Sequence, residues 1–216
     1  ITLIEAKDRF TNVNAVDKRG KTALYLAVLN GHSNVVASLL GATDRFANDV
    51  VDEHGKTVLH YAAENDHNDM VAALLEATGC FTNVDAVDEK GWTALHYAAE
   101  KGHIDIITTL VEVNDRFTKV NANAVDGKGW TVLHYAARKN HGNVVSILHD
   151  TDRFTNVDAV DRNGKTALQL AKAYGHTSIV RIFTTYAEEL NAEKEVEKGG
   201  EEVQGVGGEK QLAVES

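Results

Sequence analysis

A polar turn followed by two apolar, helix-like stretches recurs along most of this chain. The turn has the pattern D-x-x-G-x-T, and its copies start at Asp17, Asp52, Asp88, Asp126 and Asp161. The intervals between successive copies are 35, 36, 38 and 35 residues. Self-similarity at a period of this length is typical of arrays in which each unit is one supersecondary motif. The pattern therefore predicts a repeat architecture.

Each unit is predicted to form a hairpin, a helix, a turn and a second helix. The Thr of the turn precedes an apolar-periodic stretch, which is the position of a helix N-cap. In the third unit the first helix carries Ala98 and Ala99, small residues that allow close approach of helices, and it ends near Gly102. A left-handed residue is expected there. The equivalent positions in the other units are Gly31, Asp66, Asn140 and Gly175.

The third unit, "DEKGWTALHYAAEKGH" from Asp88 to His103, resembles the ankyrin repeat, whose pattern is roughly D-x-x-G-x-T-P-L-H-x-A-A-x-x-G-H. The resemblance extends from residue 1 to about residue 186. It implies an all-α ankyrin-repeat solenoid of stacked helix-turn-helix units with projecting hairpin loops. One unit cannot bury the apolar stripes of both its helices alone, so neighbouring units must stack.

Two features depart from the family pattern. The family's Pro after the Thr is Ala or Val in every unit, and the chain contains no proline, so the first helical turn lacks a preorganised residue. The connectors between units are also longer and carry a recurring Phe, which is expected to pack under its own helix pair. These residues are Phe10, Phe46, Phe81, Phe117 and Phe154.

The repeats divide the chain into segments. Residues 1–16 align with the second half of a unit and are interpreted as a truncated repeat, so the array is expected to begin upstream of residue 1. The last unit is expected to cap the array because Thr184 replaces an apolar stripe residue. Residues 191–216 are predicted to be an acidic, disordered tail rich in Gly and Glu. The five complete units span residues 17–51, 52–87, 88–125, 126–160 and 161–190.

Charge and cysteine content narrow the class of protein. The net charge is −10, of which residues 187–216 contribute −6, so the repeats themselves are only mildly acidic. The single cysteine, Cys80, excludes an intramolecular disulfide and fits a reducing compartment. We therefore expect an intracellular location, in the cytoplasm or on the cytoplasmic side of a membrane. No apolar run is long enough to predict a membrane span.

The histidines follow the repeat and are not clustered as a metal site requires. Three of them, His60, His96 and His134, occupy the T-x-L-H position. The ankyrin resemblance implies that such histidines bond the Thr hydroxyl and the turn backbone and tie neighbouring units together. No nucleophile, base and oxyanion site are brought together by the pattern. We expect no metal, no cofactor and no enzymatic activity in this segment.

The ankyrin resemblance also implies a concave groove, formed by the hairpin tips and the first helices, whose variable positions contact a protein partner. In each unit these are the two residues after the motif Asp, the residue after the hairpin Gly and the two residues before the turn that ends the first helix. The five units hold eleven basic and four acidic residues at these 25 groove positions. We expect a monomeric segment that binds a partner with acidic and apolar elements. The candidate contact residues are Trp92, Trp130, Lys21, Lys56, Lys90, Lys101, Lys128, Arg138, Lys139, Lys165 and Tyr174.

Trp92 and Trp130 occupy the same position on adjacent hairpins. Tryptophan with a basic surround is typical of interface hot spots. This hypothesis predicts that replacing both with alanine abolishes binding and leaves the melting transition nearly unchanged. In the alternative interpretation, the indoles pack on neighbouring hairpins and act structurally.

Other functions are alternatives at this stage. In one of them, the segment is the regulatory part of a larger channel, kinase or transcription inhibitor, and the activity lies outside this chain. In a second, the basic groove binds nucleic acid, which would weaken steeply with salt. In a third, the array is an engineered repeat protein made for binding or for the study of folding. The acidic tail either folds back to compete with a partner or is an inert linker.

Overall fold

The computed structural model describes residues 14–42, 50–77, 83–112, 120–151 and 156–204. Within these ranges the chain is all-α, as predicted, and its one strand-like feature is an isolated antiparallel bridge between Val160 and Thr166. The helices are α1 Ala23–Leu29, α2 Ser33–Ala42, α3 Val58–Glu64, α4 Asn68–Glu76, α5 Ala94–Lys101, α6 Ile104–Glu112, α7 Val132–Lys139, α8 Gly142–His149, α9 Ala167–Ala173 and α10 Thr177–Gln204.

The odd-numbered helices, here called the inner helices, each begin after the threonine of a hairpin. Thr93 has an extended backbone, with φ −90° and ψ 170°, and its side-chain oxygen accepts a hydrogen bond from the His96 N–H at 3.4 Å. The predicted N-cap role of threonine is confirmed in every described unit. The equivalent residues are Thr22, Thr57, Thr131 and Thr166.

Each inner helix is followed by a residue with a positive φ, as predicted from the turn before the second helix. Gly102 has φ 80°, and glycine tolerates this left-handed conformation without steric cost. Asn140 and Asp66 adopt it as well, with φ 64° and 62°. Both residues carry a Cβ atom, which makes the conformation less favourable for them than for glycine.

Replacing Asp66 with glycine is expected to raise the free energy of unfolding by about 0.5–1 kcal/mol, because it removes the Cβ from a left-handed residue. The substitution also removes a contact between Asp66 Oδ1 and His103 Nδ1 at 3.3 Å, but Asp66 is 62% exposed, so this contact contributes little. Urea unfolding of both proteins measures the difference. The opposite change, Gly102→Ala, should destabilise, since a Cβ there would lie 2.7 Å from the His141 ring. An Asp66→Gly protein that is less stable would contradict this account.

The helices form two stacked rows. Inner helices pack on inner helices along the array, and the outer helices, which are the even-numbered ones, pack on each other in the same order. Ala98 and Ala99 are fully buried where α5 meets its neighbours, and Ile106 and Ile107 are fully buried on α6. The core is therefore one continuous layer between the rows, to which every unit contributes, as expected for a solenoid.

The hairpins are joined by one backbone hydrogen bond per step. Glu53 N–H donates to Arg19 O at 3.2 Å, Glu89 N–H to His54 O at 3.1 Å, Gly127 N–H to Lys90 O at 2.9 Å, and Arg162 N–H to Lys128 O at 3.1 Å. These bonds fix the spacing of the tips, so side chains at equivalent tip positions form a line along the array.

The last helix continues beyond the array. Ile179 and Phe183 of α10 are buried against the core, whereas Thr184 is exposed, which fits a capping unit. Helix α10 runs to Gln204, so residues 191–204 of the segment predicted to be a disordered tail are helical. Glutamate and lysine fill half of this stretch and favour helix, but composition alone did not distinguish the helix from disorder. Residues 1–13 and 205–216 lie outside the described residues, as do the five recurring phenylalanines.

Candidate partner-binding groove

The aspartate that opens each hairpin closes it with one carboxylate oxygen. Asp88 Oδ1 accepts hydrogen bonds from the N–H groups of Lys90 at 2.8 Å and Trp92 at 2.9 Å. The same pair of bonds recurs in the other units, at Asp17, Asp52, Asp126 and Asp161. These bonds hold the backbone of every tip in the same conformation, so equivalent side chains project in equivalent positions.

The second carboxylate oxygen joins neighbouring units. Asp126 Oδ2 accepts from the Tyr135 hydroxyl of its own unit and from Trp92 Nε1 of the preceding unit, at 3.2 Å for the indole. Trp130 Nε1 donates in the same way to Asp161 Oδ2 at 3.0 Å. Burial raises the pKa of the Asp126 carboxyl, but donation from Tyr135 and from the backbone outweighs it, so the pKa lies below its usual value. Asp126 is thus an ionised carboxylate that links the third unit to the fourth.

An aromatic ladder runs along the groove. The tyrosines that follow the T-x-L-H motif, Tyr61, Tyr97 and Tyr135, alternate with the residues that follow the hairpin glycine. Trp92 lies between two of these tyrosines, with ring centroids 4.8 Å from Tyr97 and 4.5 Å from Tyr135. In the preceding unit Lys56 takes the same place, with Nζ 4.7 Å from the Tyr61 ring and 4.2 Å from the Tyr97 ring. The recurring "HYAA" shows these tyrosines in the sequence, but their role was not predicted.

The structure changes the expectation for the two tryptophans. Both are partly buried, both indole N–H groups bind the aspartate of the next hairpin, and Trp92 also packs against the core. These contacts match the alternative in which the indoles pack on neighbouring hairpins. Their replacement is therefore expected to destabilise the array, whatever they contribute to partner binding.

Several predicted contact lysines are already neutralised. Lys56 Nζ lies 2.7 Å from Glu64 Oε2, and its side chain is only 12% exposed. Glu100 lies between two lysines, 2.7 Å from Lys139 Nζ and 3.7 Å from Lys101 Nζ. Burial raises the pKa of Glu100, but the hydrogen bond from Lys139 outweighs it and the net shift is downward. The middle of the groove is therefore less basic than its list of lysines suggests.

Other predicted contact residues have no carboxylate of a described side chain close to them. Among the described side chains, none of the carboxylates lies within 4 Å of the charged groups of Lys90, Lys128, Arg138 or Lys165. Lys90 Nζ and Lys128 Nζ each lie 5.7 Å from the centroid of the tryptophan on their own hairpin. Tyr174 is 53% exposed. In the first unit Lys21 Nζ lies 5.0 Å from the Tyr25 ring.

The histidines connect units, as the resemblance implied. His60 Nδ1 accepts from the Thr57 N–H at 3.0 Å and also contacts the Thr57 hydroxyl, while Nε2 contacts Trp92 O of the next unit at 2.9 Å. His96 and His134 repeat this arrangement. Because a backbone N–H only donates and a carbonyl only accepts, the proton of these neutral rings lies on Nε2.

An exposed valine precedes the motif aspartate in every unit, a feature that the sequence reasoning missed. The exposed fractions lie between 48% and 56%. The signal in the sequence was a valine directly before the motif aspartate in all five units, and the structure shows that this valine is exposed. The residues are Val16, Val51, Val87, Val125 and Val160. They add apolar surface to the hairpin edge of the groove.

Within the described ranges, no three His, Cys, Asp or Glu side chains come together in a way that could hold a metal ion. The same residues include no helix that is both long and apolar enough to cross a membrane.

Comparison with protein families supports the repeat interpretation. A family model described as ankyrin repeats, in three copies, matches residues 39–123 and 115–194. The model of a single ankyrin repeat matches residues 19–50. No curated protein matches this chain.

Proposed function

Because this chain belongs to the ankyrin repeat family, we propose that it is a non-enzymatic scaffold that binds a partner protein through the groove. Ankyrin repeats are generally protein–protein interaction modules, and proteins built from them are typically non-enzymatic. The observation that carries the proposal is the sign of the groove charge. The chain has a net charge of −10, yet the groove positions hold eleven basic residues against four acidic ones.

The partner that fits this surface carries carboxylates together with apolar side chains. Cations without a nearby carboxylate, such as Lys128 and Arg138, would attract it and fix its register. The exposed valines of the hairpins and Tyr174 would contribute apolar contact area. An interface of this kind is typical of protein recognition, in which a few aromatic and arginine residues dominate the binding energy.

Selection of peptides tests this proposal without knowledge of the natural partner. The protein is immobilised and panned against a random-peptide phage library, and the most enriched peptide is synthesised with a fluorescein label. We expect enrichment of peptides that combine Asp or Glu with apolar residues. Hydrogen exchange of the complex should show slower exchange in the hairpins and at the ends of the inner helices.

A matched control separates the groove from the outer helices. Arg162 and Arg181 belong to the same unit and are both exposed, but Arg162 lies on a hairpin tip and Arg181 lies on the outer helix α10. Arg181→Glu should leave the peptide affinity within about twofold of the original, because its charge change is remote from the groove. Protection confined to the outer helices, or peptides without acidic residues, would refute the proposed function.

A further inference from the structure

The basic groove is not uniform, because one position on the inner helices changes its charge along the array. This position, two residues before the left-handed turn, holds Glu64 in the second unit and Glu100 in the third. Each glutamate accepts a hydrogen bond from a lysine of the groove at 2.7 Å, Glu64 from Lys56 and Glu100 from Lys139. In the fourth unit the same position is Arg138, and in the fifth it is Ala173. The neutralising carboxylate is therefore absent from this position in the last two units.

The hairpin tips show the same division. In the second and third units Glu53 and Glu89 flank His54, at 3.9 Å from its ring nitrogens. At the position of these glutamates the fourth unit has Gly127 and the fifth has Arg162, so both tips lack the carboxylate. Lys128 follows Gly127, and the side chains of Lys128 and Arg162 are exposed. The two tips are adjacent, since Arg162 N–H donates to Lys128 O at 3.1 Å.

An aromatic and apolar surface accompanies the unneutralised cations. The Arg138 guanidinium carbon lies 5.4 Å from the centroid of the partly buried Trp130 ring, and Lys128 Nζ lies 5.7 Å from it. Val125, Val160 and Tyr174 are 54%, 56% and 53% exposed. Arginine, tryptophan and tyrosine are the residues most enriched in interface hot spots. The last two units thus combine positive charge with exposed apolar area.

We propose that an acidic segment of the partner protein docks on the fourth and fifth units, with its carboxylates on Lys128, Arg138, Arg162 and Lys165 and its apolar side chains on Val125, Val160 and Tyr174. This inference rests on the proposed function and adds the place at which the partner is bound. Charge complementarity favours an acidic segment at this end of the groove. In the middle of the groove its carboxylates would have to compete with Glu64 and Glu100, which already bind lysines there. A protein segment is favoured over a nucleic acid because apolar side chains flank the cations and the whole chain is acidic.

The first unit provides a matched control for this site. Lys18 and Arg19 occupy the two tip positions that Arg162 and Lys128 occupy in the last two units, and all four side chains are exposed. The first unit is also basic, but it has no tryptophan, and its Tyr25 is 1% exposed. Charge reversal at either end changes the net charge by the same amount and leaves the backbone bonds of the hairpins in place.

The test compares Lys128→Glu/Arg162→Glu with Lys18→Glu/Arg19→Glu, using fluorescence anisotropy of the labelled peptide selected on the original protein. We expect the first variant to bind at least about tenfold more weakly, and the second within about twofold of the original. Circular dichroism and urea unfolding show that both variants stay folded.

Each other outcome identifies which idea fails. If the control variant loses as much affinity as Lys128→Glu/Arg162→Glu, or more, the docking site is wrong while binding through the groove stands. If neither variant changes the affinity, the docking site is wrong and hydrogen exchange decides whether the groove is used at all. If a duplex DNA probe binds with a steep salt dependence and no peptide is enriched, the occupant is a nucleic acid and both proposals fall.

Discussion

Replacing Trp92 with alanine is expected to lower the free energy of unfolding by about 2–3 kcal/mol. A fully buried Trp→Ala change costs about 3–5 kcal/mol, and Trp92 is only partly buried, so we expect somewhat less. The loss has two parts: ring contacts with Tyr97 and Tyr135, whose centroids are 4.8 Å and 4.5 Å away, and the hydrogen bond from Nε1 to Asp126. Urea unfolding, followed by circular dichroism, measures it.

The position of Trp92 adds a second expectation about cooperativity. Its ring touches a tyrosine of its own unit and a tyrosine of the next, so it couples the third unit to the fourth. In a repeat array the total stability depends on such interfaces between neighbours. Weakening one interface in the middle should make the unfolding transition broader or biphasic, with the two ends melting separately.

Two further substitutions at this position act as controls. Trp92→Phe keeps a ring but removes the N–H, and so isolates the hydrogen bond to Asp126. Trp92→Lys copies the second unit, where Lys56 contacts the equivalent pair of tyrosines at 4.7 Å and 4.2 Å. Both should cost less than Trp92→Ala. An unchanged unfolding curve for Trp92→Ala would show that the indole is not structural and would restore the sequence-based expectation.

This structural role determines how the binding experiments should be interpreted. Loss of binding in a double Trp→Ala variant would not distinguish a lost contact from a distorted groove. The charge reversals at exposed tips avoid this problem, because the side chains of Lys128 and Arg162 have no role in closing the hairpins.

Lowering the pH from about 7.5 to about 5 is expected to destabilise the array through His60, His96 and His134. Burial is the main cause that lowers the pKa of each ring below the ordinary value of 6.5, and it outweighs the hydrogen bond to the next unit and the nearby aspartates. The geometry acts in the same direction, since Nδ1 accepts from a threonine N–H and cannot take a proton without losing that bond.

The sign of the pH dependence follows from proton binding. Above the unfolded pKa near 6.5 the histidines are neutral in both states, and their contribution to stability is complete. Below it the unfolded chain binds protons that the folded chain does not, so stability falls as the pH falls towards the folded pKa values. Three such groups give a slope of up to about 4 kcal/mol per pH unit. Urea unfolding at a series of pH values measures this slope.

The fifth unit supplies the control for this prediction. Gln169 stands in place of the histidine there, and its Oε1 accepts from the Thr166 N–H at 3.0 Å. A variant with His60→Gln, His96→Gln and His134→Gln keeps the acceptor but does not titrate, so its stability should change much less over the same range. An equal slope in the two proteins would assign the pH dependence to other groups.

The aspartates act in a separate range. Burial raises the pKa of the Asp52 and Asp161 carboxyls, but hydrogen bonds from tyrosine, tryptophan and backbone donors outweigh it, so both pKa values lie below 3.8. Their contribution is therefore complete above pH 3.8 and is lost only at lower pH. It does not overlap with the range in which the histidines titrate.

The sequence by itself determined the repeat, the two helices of each unit, the threonine caps and the left-handed turns. The reason is that these features depend on residues within a few positions of each other. The hydroxyl of Thr93 reaches the N–H of His96 three residues later, and Gly102 closes the helix that contains Ala98. The composition of the groove, with its excess of lysine and arginine, could also be read from the register of the repeats.

Only the tertiary structure decided which groove residues are available to a partner. The deciding contacts join residues in different units, such as Trp92 with Asp126 and Lys139 with Glu100. The register brings these residues near each other, but it does not say which way a long side chain turns. Packing between units buries part of both tryptophans and pairs lysines in the middle of the groove with glutamates. The charge left at the last two units is therefore a property of the stacked array and not of any single repeat.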